Sequence, residues 1–458
     1  MLRIVEVSLI LGIVLAVLAF GGTETTSLAL VQVLFLGVAA LLVASPKGVT
    51  TSISWQAFVA PAVLTSVVLL QLCPLPVRLL KRLAEHRDPA AGAQLACLSL
   101  QPYSTRTHFL VLLTCFVAFY LTQIVSRDRN RKQRLIVSLV SLGAFEAFYG
   151  LVQYLSGWQR IFAYAKKYDL EEATGTYINR NHYAGFLEMI LPFSLALVFY
   201  EYRKLGRHQV QPVMSLRKLI TRASLQRLLF WLSIAVVLFA ALIFSRSRMG
   251  IVAAFASLLV IFGLASVSRF RGKAGLLLCA AFITLSICFA IWIGPGAVVG
   301  RFENVGQEYT LRGESRLSIW RGAGELIRHH PWLGTGLGTF PVAYTAVQTT
   351  FLGMFVNHAH NDYLELASDL GLPAALILFV SIFFVLVRAV RTFLFAERDF
   401  ERFAALGCVG SIVAILLHSL TDFNLYIPAN TMLFSMVLGL AMSTPQRNLH
   451  ARSRELDT

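Results

Sequence analysis

The stretch His358-Ala359-His360-Asn361-Asp362-Tyr363-Leu364-Glu365 stands where a long polar segment meets the apolar run 366–387. Polar and ionisable side chains are costly at such a junction unless water or a ligand reaches them. Asp362 followed three residues later by Glu365 has the form of a capping box and predicts a helix start. The positive end of that helix would favour a neutral His360, the form that accepts a proton. The stretch is therefore a candidate catalytic corner; the alternative is a histidine that only caps a helix at the membrane surface.

The composition is that of a membrane protein. Of the 458 residues, 57% are hydrophobic and 14% are charged, and the mean hydropathy is +0.68. A soluble domain has no use for so many apolar runs long enough to cross a bilayer. The net charge of +16 does not point to nucleic acid as a partner, because lysines and arginines on cytoplasmic loops give the same excess.

The apolar runs predict an all-α polytopic protein with about twelve transmembrane helices. The first run follows only Arg3 and lacks a cleavage site of small residues, so we expect a membrane helix there and not a signal peptide. The predicted spans are 4–21, 27–45, 55–73, 108–125, 135–156, 182–202, 228–245, 249–267, 274–294, 363–387, 404–420 and 430–443.

The distribution of positive charge predicts the orientation. With both termini in the cytoplasm, most lysines and arginines fall on cytoplasmic connections, as the positive-inside rule requires. The chain then divides into membrane helices in 1–294 and 363–443, a large periplasmic loop at 295–362, and a cytoplasmic tail at 444–458. Cys73 and Cys97 flank another outer loop and could pair there, although the six cysteines show no metal-ligand spacing.

The large loop is expected to carry an amphipathic helix on the membrane surface at 313–330, where apolar residues recur at helical spacing. A glycine-rich turn follows at 331–340. This turn is not a nucleotide-binding fingerprint, because no strand precedes it.

Arginines recur at several outer segments. Arg246 and Arg248 lie in a short turn between two apolar runs, and Arg316 lies one helical turn before Trp320. An arginine fork binds phosphate in a bidentate manner, whereas the alternative is a set of side chains that reach lipid headgroups. Asn179-Arg180-Asn181-His182 repeats the pattern at a third helix entrance. Such convergence indicates a site for an anionic ligand carried on a lipid, with a neutral histidine nearby.

Other ionisable residues fit less directly into this site. His358 and His360 form an H-x-H pair that can bind metal in other proteins, but no further ligands are evident; we therefore expect no metal and no cofactor. Glu146 and Glu188 lie within apolar runs and should face the bundle interior. His182 and His418 lie near helix ends, where they could simply be packed or wet.

These motifs resemble the O-antigen ligase and polymerase superfamily of bacterial envelope glycosyltransferases. The family shows His followed by Asn, Ser or Gln, then nine residues and Gly-x-x with Gly, Thr or Tyr. Here His360-Asn361 is followed by nine residues and Gly371-Leu372-Pro373-Ala374, so Ala374 departs from the last position. The series Arg316, Trp320, Pro331 and Gly334 to Gly338 is similar to the large-loop pattern of the family. Ser247-Arg248-Met249-Gly250 is similar to its Ser-Arg-Gly turn with Met249 inserted, and the resemblance spans about residues 170–440.

The resemblance implies a metal-independent, inverting glycosyl transfer at the periplasmic face of the bacterial inner membrane. The donor would be a glycan linked to undecaprenyl diphosphate, and no nucleotide is needed because that linkage is already activated. By resemblance, His360 would be the general base on the acceptor hydroxyl, and Arg248 and Arg316 would hold the diphosphate, with Arg246 competing with Arg248 for this role. Arg180 is a further candidate ligand of the diphosphate, and supporting roles would fall to Asn181, Trp320, His358, Asn361 and Asp362.

The acceptor and the class of protein remain open at this stage. A ligase would transfer the glycan to lipid A-core, a polymerase to another lipid-linked repeat unit, and protein O-glycosylation uses the same chemistry. A flippase or other transporter of lipid-linked oligosaccharide also has about twelve helices. Such a transporter would place charges along a path through the membrane, whereas the polar residues here collect at one face, which favours the enzyme.

Overall fold

The computed structural model describes residues 1–45, 54–83, 94–207, 223–267, 305–349 and 355–443. Of residues 305–315 only the helical backbone is described. The predicted span 274–294 and the predicted tail 444–458 lie outside these ranges.

Helices make up most of the described chain, whose strands form two small antiparallel hairpins. These hairpins pair β1 (Leu75–Pro76) with β2 (Leu95–Ala96) and β3 (Arg160–Ile161) with β4 (Tyr164–Ala165). The helices are α1 Leu2–Leu18, α2 Thr25–Val43, α3 Gln56–Leu72, α4 Val77–Leu83, α5 Pro102–Val125, α6 Arg129–Ser156, α7 Arg180–Arg207, α8 Ala223–Phe244, α9 Arg248–Val267, α10 Val305–His329, α11 Phe340–Thr345, α12 Asp362–Leu370, α13 Leu372–Phe395, α14 Asp399–His418 and α15 Pro428–Met442. Short 3₁₀ turns lie at Phe20–Gly22 and Asn424–Tyr426.

The all-α polytopic architecture predicted from the sequence is confirmed. Among the described residues, eight helices are long and apolar enough to cross a membrane, and α3 and α15 are shorter apolar helices. Every predicted span within the described ranges coincides with helix. The predicted amphipathic segment 313–330 is also helical, and it belongs to the longer helix α10.

Helix α7 is the centre of the bundle. The part of it that could cross a membrane is buried along its full length, and it packs most extensively on α14 and α8. Its apolar side chains supply much of the main core, including Phe186, Ile190, Phe193 and Phe199. Because other helices enclose this segment of α7, it gives a fixed frame for the residues at its first turns.

Ion pairs gather at one end of the bundle, which we call the opposite end. There Glu6 of α1 accepts from Arg134 of α6 at 2.6 Å, and Lys132 of α6 binds Glu401 of α14 at 2.6 Å. The N-terminus and the connections before α6 and α14 therefore share one end. The distribution of positive charge in the sequence predicts the same side for all three.

The predicted single span 363–387 is wrong in one respect, because the helix breaks at Gly371. Gly371 has a φ of 82° and separates α12 from α13. A Cβ atom at this position would overlap the carbonyl oxygen of Trp332, and one at Gly334 would overlap that of Asp369. Only glycine allows the two backbones to cross so closely. The short helix α12 is thereby set apart from the membrane helix that follows it.

Candidate active site

The site is assembled around α12, whose three carboxyl side chains are all fully buried: Asp362, Glu365 and Asp369. Each lies about one turn from the next, so the three side chains share one face of the helix. Asp362 accepts from the hydroxyl of Ser419 at 2.7 Å and from the backbone N–H of Leu425 at 3.2 Å. Helix α12 thus binds the segment that joins α14 to α15.

The other two carboxyl groups both bind segments that precede α12, and Asp369 also binds the segment that joins α14 to α15. Glu365 accepts from the backbone N–H of Ala359 at 2.7 Å and lies 2.7 Å from Nδ1 of His358. Asp369 accepts from the N–H of Gly338 at 2.6 Å and from the hydroxyl of Tyr426 at 2.8 Å. The glycine-rich turn is therefore a backbone docking element, and its amides are used within the protein.

The predicted capping box is wrong, although the helix does begin where it was expected. The N-cap is Asn361, whose side-chain oxygen accepts from the N–H of Leu364 at 3.1 Å. Its amide group also donates to the carbonyl of Leu420 at 3.0 Å. Asp362 and Glu365 were misread because a sequence pattern does not reveal which segments will supply donors to buried carboxyl groups.

His360 immediately precedes this cap and has a strained backbone. Its φ is 49°, in the left-handed region that residues other than glycine rarely adopt. The ring remains 37% exposed, and its Nδ1 lies 3.9 Å from Oδ1 of Asp422. Strain of this kind often marks a functional position. The imidazole has one nitrogen toward a buried carboxylate and a face open to a substrate.

Asp422 is the hub of the cluster and was missed in the sequence analysis. Its Oδ1 lies 3.9 Å from Nε2 of His182 as well as 3.9 Å from His360, and its Oδ2 lies 3.8 Å from Nε2 of His418. Burial alone would raise the pKa of Asp422, but the neighbouring imidazoles of His360, His182 and His418 hold that pKa below its usual range. The carboxylate is therefore ionised throughout the working pH range.

Phe423 packs three histidines into a fixed arrangement. Its ring stacks on His358 with 3.9 Å between centroids, and it meets His360 and His182 edge-on at 5.0 and 4.7 Å. Burial lowers the pKa of His358 to about 4 and raises that of Glu365 to about 8. This pair is consequently neutral near pH 7, and His358 serves to hold the loop in place.

Arg316 lies one helical turn before Trp320, the residue that contacts the histidine loop. Trp320 of α10 donates its indole N–H to the carbonyl of Ala359 at 3.0 Å, the residue between the two histidines. Arg316 precedes Trp320 by four residues, so both side chains share one face of α10. Arg316 is half-buried, and no hydrogen bond or ion pair joins it to another residue of the described chain.

The remaining arginines lie at the entrance to α7. A Cβ at Gly250 would come within 2.7 Å of Ala184, so the turn that holds Arg246 and Arg248 packs on the first turns of α7. Arg180 is occupied, because it binds Glu172 and lies 3.7 Å from Asp169. This pairing weighs against its predicted role as a diphosphate ligand.

Arg246 and Arg248 differ in their surroundings. Arg246 has a φ of 53° and pairs at 3.2 Å with Glu171, which is 84% exposed. The Nε of Arg246 is buried without a hydrogen-bond partner. Arg248 is half-buried at the start of α9. Asn181, also half-buried, donates its backbone N–H to the side-chain oxygen of Asn179 at 2.8 Å.

No group of three or more His, Cys, Asp or Glu side chains in the described part of the chain could hold a metal ion. Cys73 and Cys97 are both free thiols. Four further residues of the cluster, absent from the expected set, come from distant parts of the sequence: Glu188, His182, His418 and Asp422. The sequence signal for them was an ionisable residue within or beside an apolar run.

The fold and this cluster together define a polytopic membrane protein with a polar, histidine-bearing site at one end of its helices. Residues 233–380 match the family model described as O-antigen ligase, which confirms the resemblance to the O-antigen ligase and polymerase superfamily. The match includes Arg246, Arg248, Arg316 and His360 but ends before His418 and Asp422. No curated protein is similar enough to the chain to match it.

Proposed function

We propose that this protein transfers a glycan from an undecaprenyl diphosphate carrier to an acceptor hydroxyl at the periplasmic face of the bacterial inner membrane, without a metal. The observation that carries the proposal is the pairing of His360 with Asp422 at 3.9 Å, while 37% of the His360 side chain remains exposed. A carboxylate on one ring nitrogen orients an imidazole and stabilises the cation that forms when it takes a proton.

The proposed reaction is a single displacement. The acceptor oxygen attacks the anomeric carbon, and its proton passes to His360. The bond from that carbon to the diphosphate oxygen breaks on the opposite side, and undecaprenyl diphosphate leaves with the electron pair. The anomeric configuration is therefore inverted, and the proton is later released to water.

Arginines stabilise the charge that grows on the leaving diphosphate. Arg316 is the first candidate, because it is half-buried and the bond from Trp320 to Ala359 fixes its helix against the histidine loop. Arg248 and Arg246 follow, since their turn packs on the helix that carries His182. Preorganised charge of this kind needs no reorganisation at the moment of reaction.

The decisive experiment is transfer of a lipid-linked glycan by purified His360→Ala protein. Loss of a general base is expected to lower the rate by about 10²–10⁴-fold, while binding of the donor persists. His358→Ala is the matched control, because His358 stacks on the same phenylalanine but is bonded to Glu365. Transfer by His360→Ala at the wild-type rate would contradict the mechanism. Glycan transport without any transfer would point to a flippase instead.

The acceptor is proposed to be lipid A-core or another lipid-linked repeat unit. A deletion strain separates these two. Full-length but unattached polymer indicates a ligase, and single repeat units indicate a polymerase.

A further inference from the structure

The proposed reaction leaves a buried ionisable pair beside the candidate site without a task. Glu188 of α7 and His418 of α14 are at most 1% exposed, and Nδ1 of His418 lies 3.1 Å from both carboxylate oxygens of Glu188. Buried charged groups are costly even when paired, and replacing them with apolar residues is often neutral or stabilising. A pair of this kind in the middle of a membrane bundle therefore suggests a function.

The second nitrogen of His418 faces the candidate site. Its Nε2 lies 3.8 Å from Oδ2 of Asp422, whereas Oδ1 of Asp422 faces His360 and His182. Both ring nitrogens of His418 thus face carboxylates. Only the doubly protonated imidazolium offers an N–H in both directions, so the geometry fits a positive charge held between Glu188 and Asp422.

We propose that His418 is a positioning residue of the transfer reaction. Its positive charge offsets the negative charge of Asp422, and this balance sets the pH at which His360 is free to accept a proton. This inference rests on the proposed function. Asp422 orients His360, but an unopposed carboxylate would also favour the protonated, inactive form of that ring. His418 limits this effect from the far side of the carboxylate, and Glu188 keeps His418 charged.

Titratable groups reach the cluster from four elements. Helix α7 supplies Glu188 and His182, and the loop before α12 supplies His358 and His360. Helix α12 supplies Asp362, whose N–H donates to the carbonyl of Asp422 at 3.1 Å, and Glu365, which bonds to His358. Helix α14 supplies His418 itself. Of these side chains, His418 alone lies between two carboxylates within 4 Å on opposite ring nitrogens.

The test is the pH–rate profile of glycan transfer by purified Glu188→Gln protein. Glutamine keeps the shape of the side chain but removes the charge that holds the proton on His418. Asp422 then acts more strongly on His360, so a higher pH is needed to free the base. An opposite charge at this distance shifts a titration by about one unit or more. We therefore expect the acid limb of the profile to move up by about one pH unit, so that the transfer rate at the low-pH end falls about tenfold. The rate on the alkaline plateau should stay within about twofold of the wild type, and the donor KM should not change.

His418→Asn removes the same positive charge directly and should give the same displacement, which keeps the test usable if either variant folds poorly. Glu146→Gln is the matched control. Glu146 is also fully buried, but its carboxylate binds the backbone and hydroxyl of Thr176 at 2.9 and 2.8 Å. Its acid limb should coincide with that of the wild type.

A wild-type profile in both Glu188→Gln and His418→Asn would overturn the inference, and so would a loss of rate that is uniform across pH. Neither result touches the proposed function as long as His360→Ala is inactive. If His360→Ala transfers glycan normally, the proposed function fails first.

Discussion

Trp320 of α10 donates its indole N–H to the carbonyl oxygen of Ala359 at 3.0 Å. This bond joins the helix that carries Arg316 to the loop that carries both candidate histidines. It fixes the separation between the group that would hold the diphosphate and the group that would take the proton. A displacement of about 1 Å between catalytic groups can cost about 100-fold in rate.

Trp320→Phe tests this relationship, because phenylalanine keeps the aromatic packing and removes only the donor. A single hydrogen bond contributes about 0.5–1.5 kcal/mol, so we expect transfer to fall by about two- to tenfold. Trp332→Phe is the control, since the Trp332 side chain is 74% exposed and should tolerate the change. Equal rates for the two variants in a transfer assay would show that the bond does not position the site.

Arg316→Lys separates a bidentate diphosphate ligand from a simple positive charge. Lysine keeps the charge but cannot reproduce the planar fork. Since charge-assisted bonds contribute about 1.5–3 kcal/mol each, transfer should fall by about 10- to 100-fold. Arg321→Lys, one turn further along α10 and exposed, is the matched control. Near-normal transfer by Arg316→Lys would favour contact with lipid headgroups instead.

Gly371→Ala tests why α12 and α13 are separate helices. The added Cβ would overlap the carbonyl of Trp332, and the alanine would also have to adopt a φ of 82°. Positive φ alone costs about 1–2 kcal/mol, and the overlap adds to that cost. Gly157→Ala measures the cost of the left-handed helical region alone, because Gly157 has a φ of 67° and a ψ of 16° with no atom within 4 Å of the added Cβ. Gly371, with a ψ of 157°, is less accessible still to alanine. Thermal unfolding should therefore be lowered clearly more by Gly371→Ala, and equal losses would contradict the backbone crossing.

The neutral pair of Glu365 and His358 predicts how stability depends on pH. The pKa of Glu365 is raised by burial to about 8, so the folded protein binds this proton above pH 4.5 while the unfolded chain does not. Stability from this group is present at low pH and is lost as the pH rises through 8. The pKa of His358 is lowered to about 4, so this residue makes stability rise with pH, but only below pH 6.5, the ordinary pKa of a histidine.

The two contributions cancel approximately up to pH 6.5, and above it only that of Glu365 remains. Stability of the wild type should then fall by about 1–2 kcal/mol between pH 6.5 and 8. Glu365→Gln mimics the protonated acid, so this fall should be much smaller in the variant. Thermal unfolding in detergent at a series of pH values measures both, and parallel curves would show that Glu365 does not carry a proton in the fold.

Much of the fold could be predicted from the sequence, because a bilayer demands long apolar runs and every described run formed a helix. The break at Gly371 could not, since its cause is the carbonyl of Trp332, a contact that no local pattern encodes. The apolar run 366–387 looks continuous because a single glycine scarcely changes its hydropathy.

The candidate site shows the same division. His360 and Trp320 could be proposed from the sequence because they lie in a polar segment beside apolar sequence, where their presence needs a reason. Asp422 was missed because its three histidine neighbours come from other elements. The cluster forms only where α7, α14 and the histidine loop meet in the folded protein. Arg180 shows the opposite error. Its position suggested an anion site, but Glu172 and Asp169 already occupy it.

The orientation in the membrane is tested by a cysteine that the chain already carries. Cys73 is an exposed free thiol, and it lies two residues after Gln71, which donates to the carbonyls of Leu333 and Asp369 at 2.6 and 2.8 Å. Cys73 is therefore at the same end of the bundle as the candidate site. If that end is periplasmic, an impermeant thiol reagent should label intact cells expressing the wild type, and Cys73→Ser should lose that label.

Arg398→Cys in the Cys73→Ser background provides the matched control for the opposite end. Arg398 is the N-cap of α14, and Glu401 in the first turn of the same helix binds Lys132. This cysteine should react only after the membrane is opened, because the positive-inside rule assigns its connection to the cytoplasm. Labelling of Arg398→Cys in intact cells, together with no labelling of Cys73 in the wild type, would place the histidine cluster on the cytoplasmic side. The glycan donor proposed here would then be on the wrong face of the membrane for His360 to act on it.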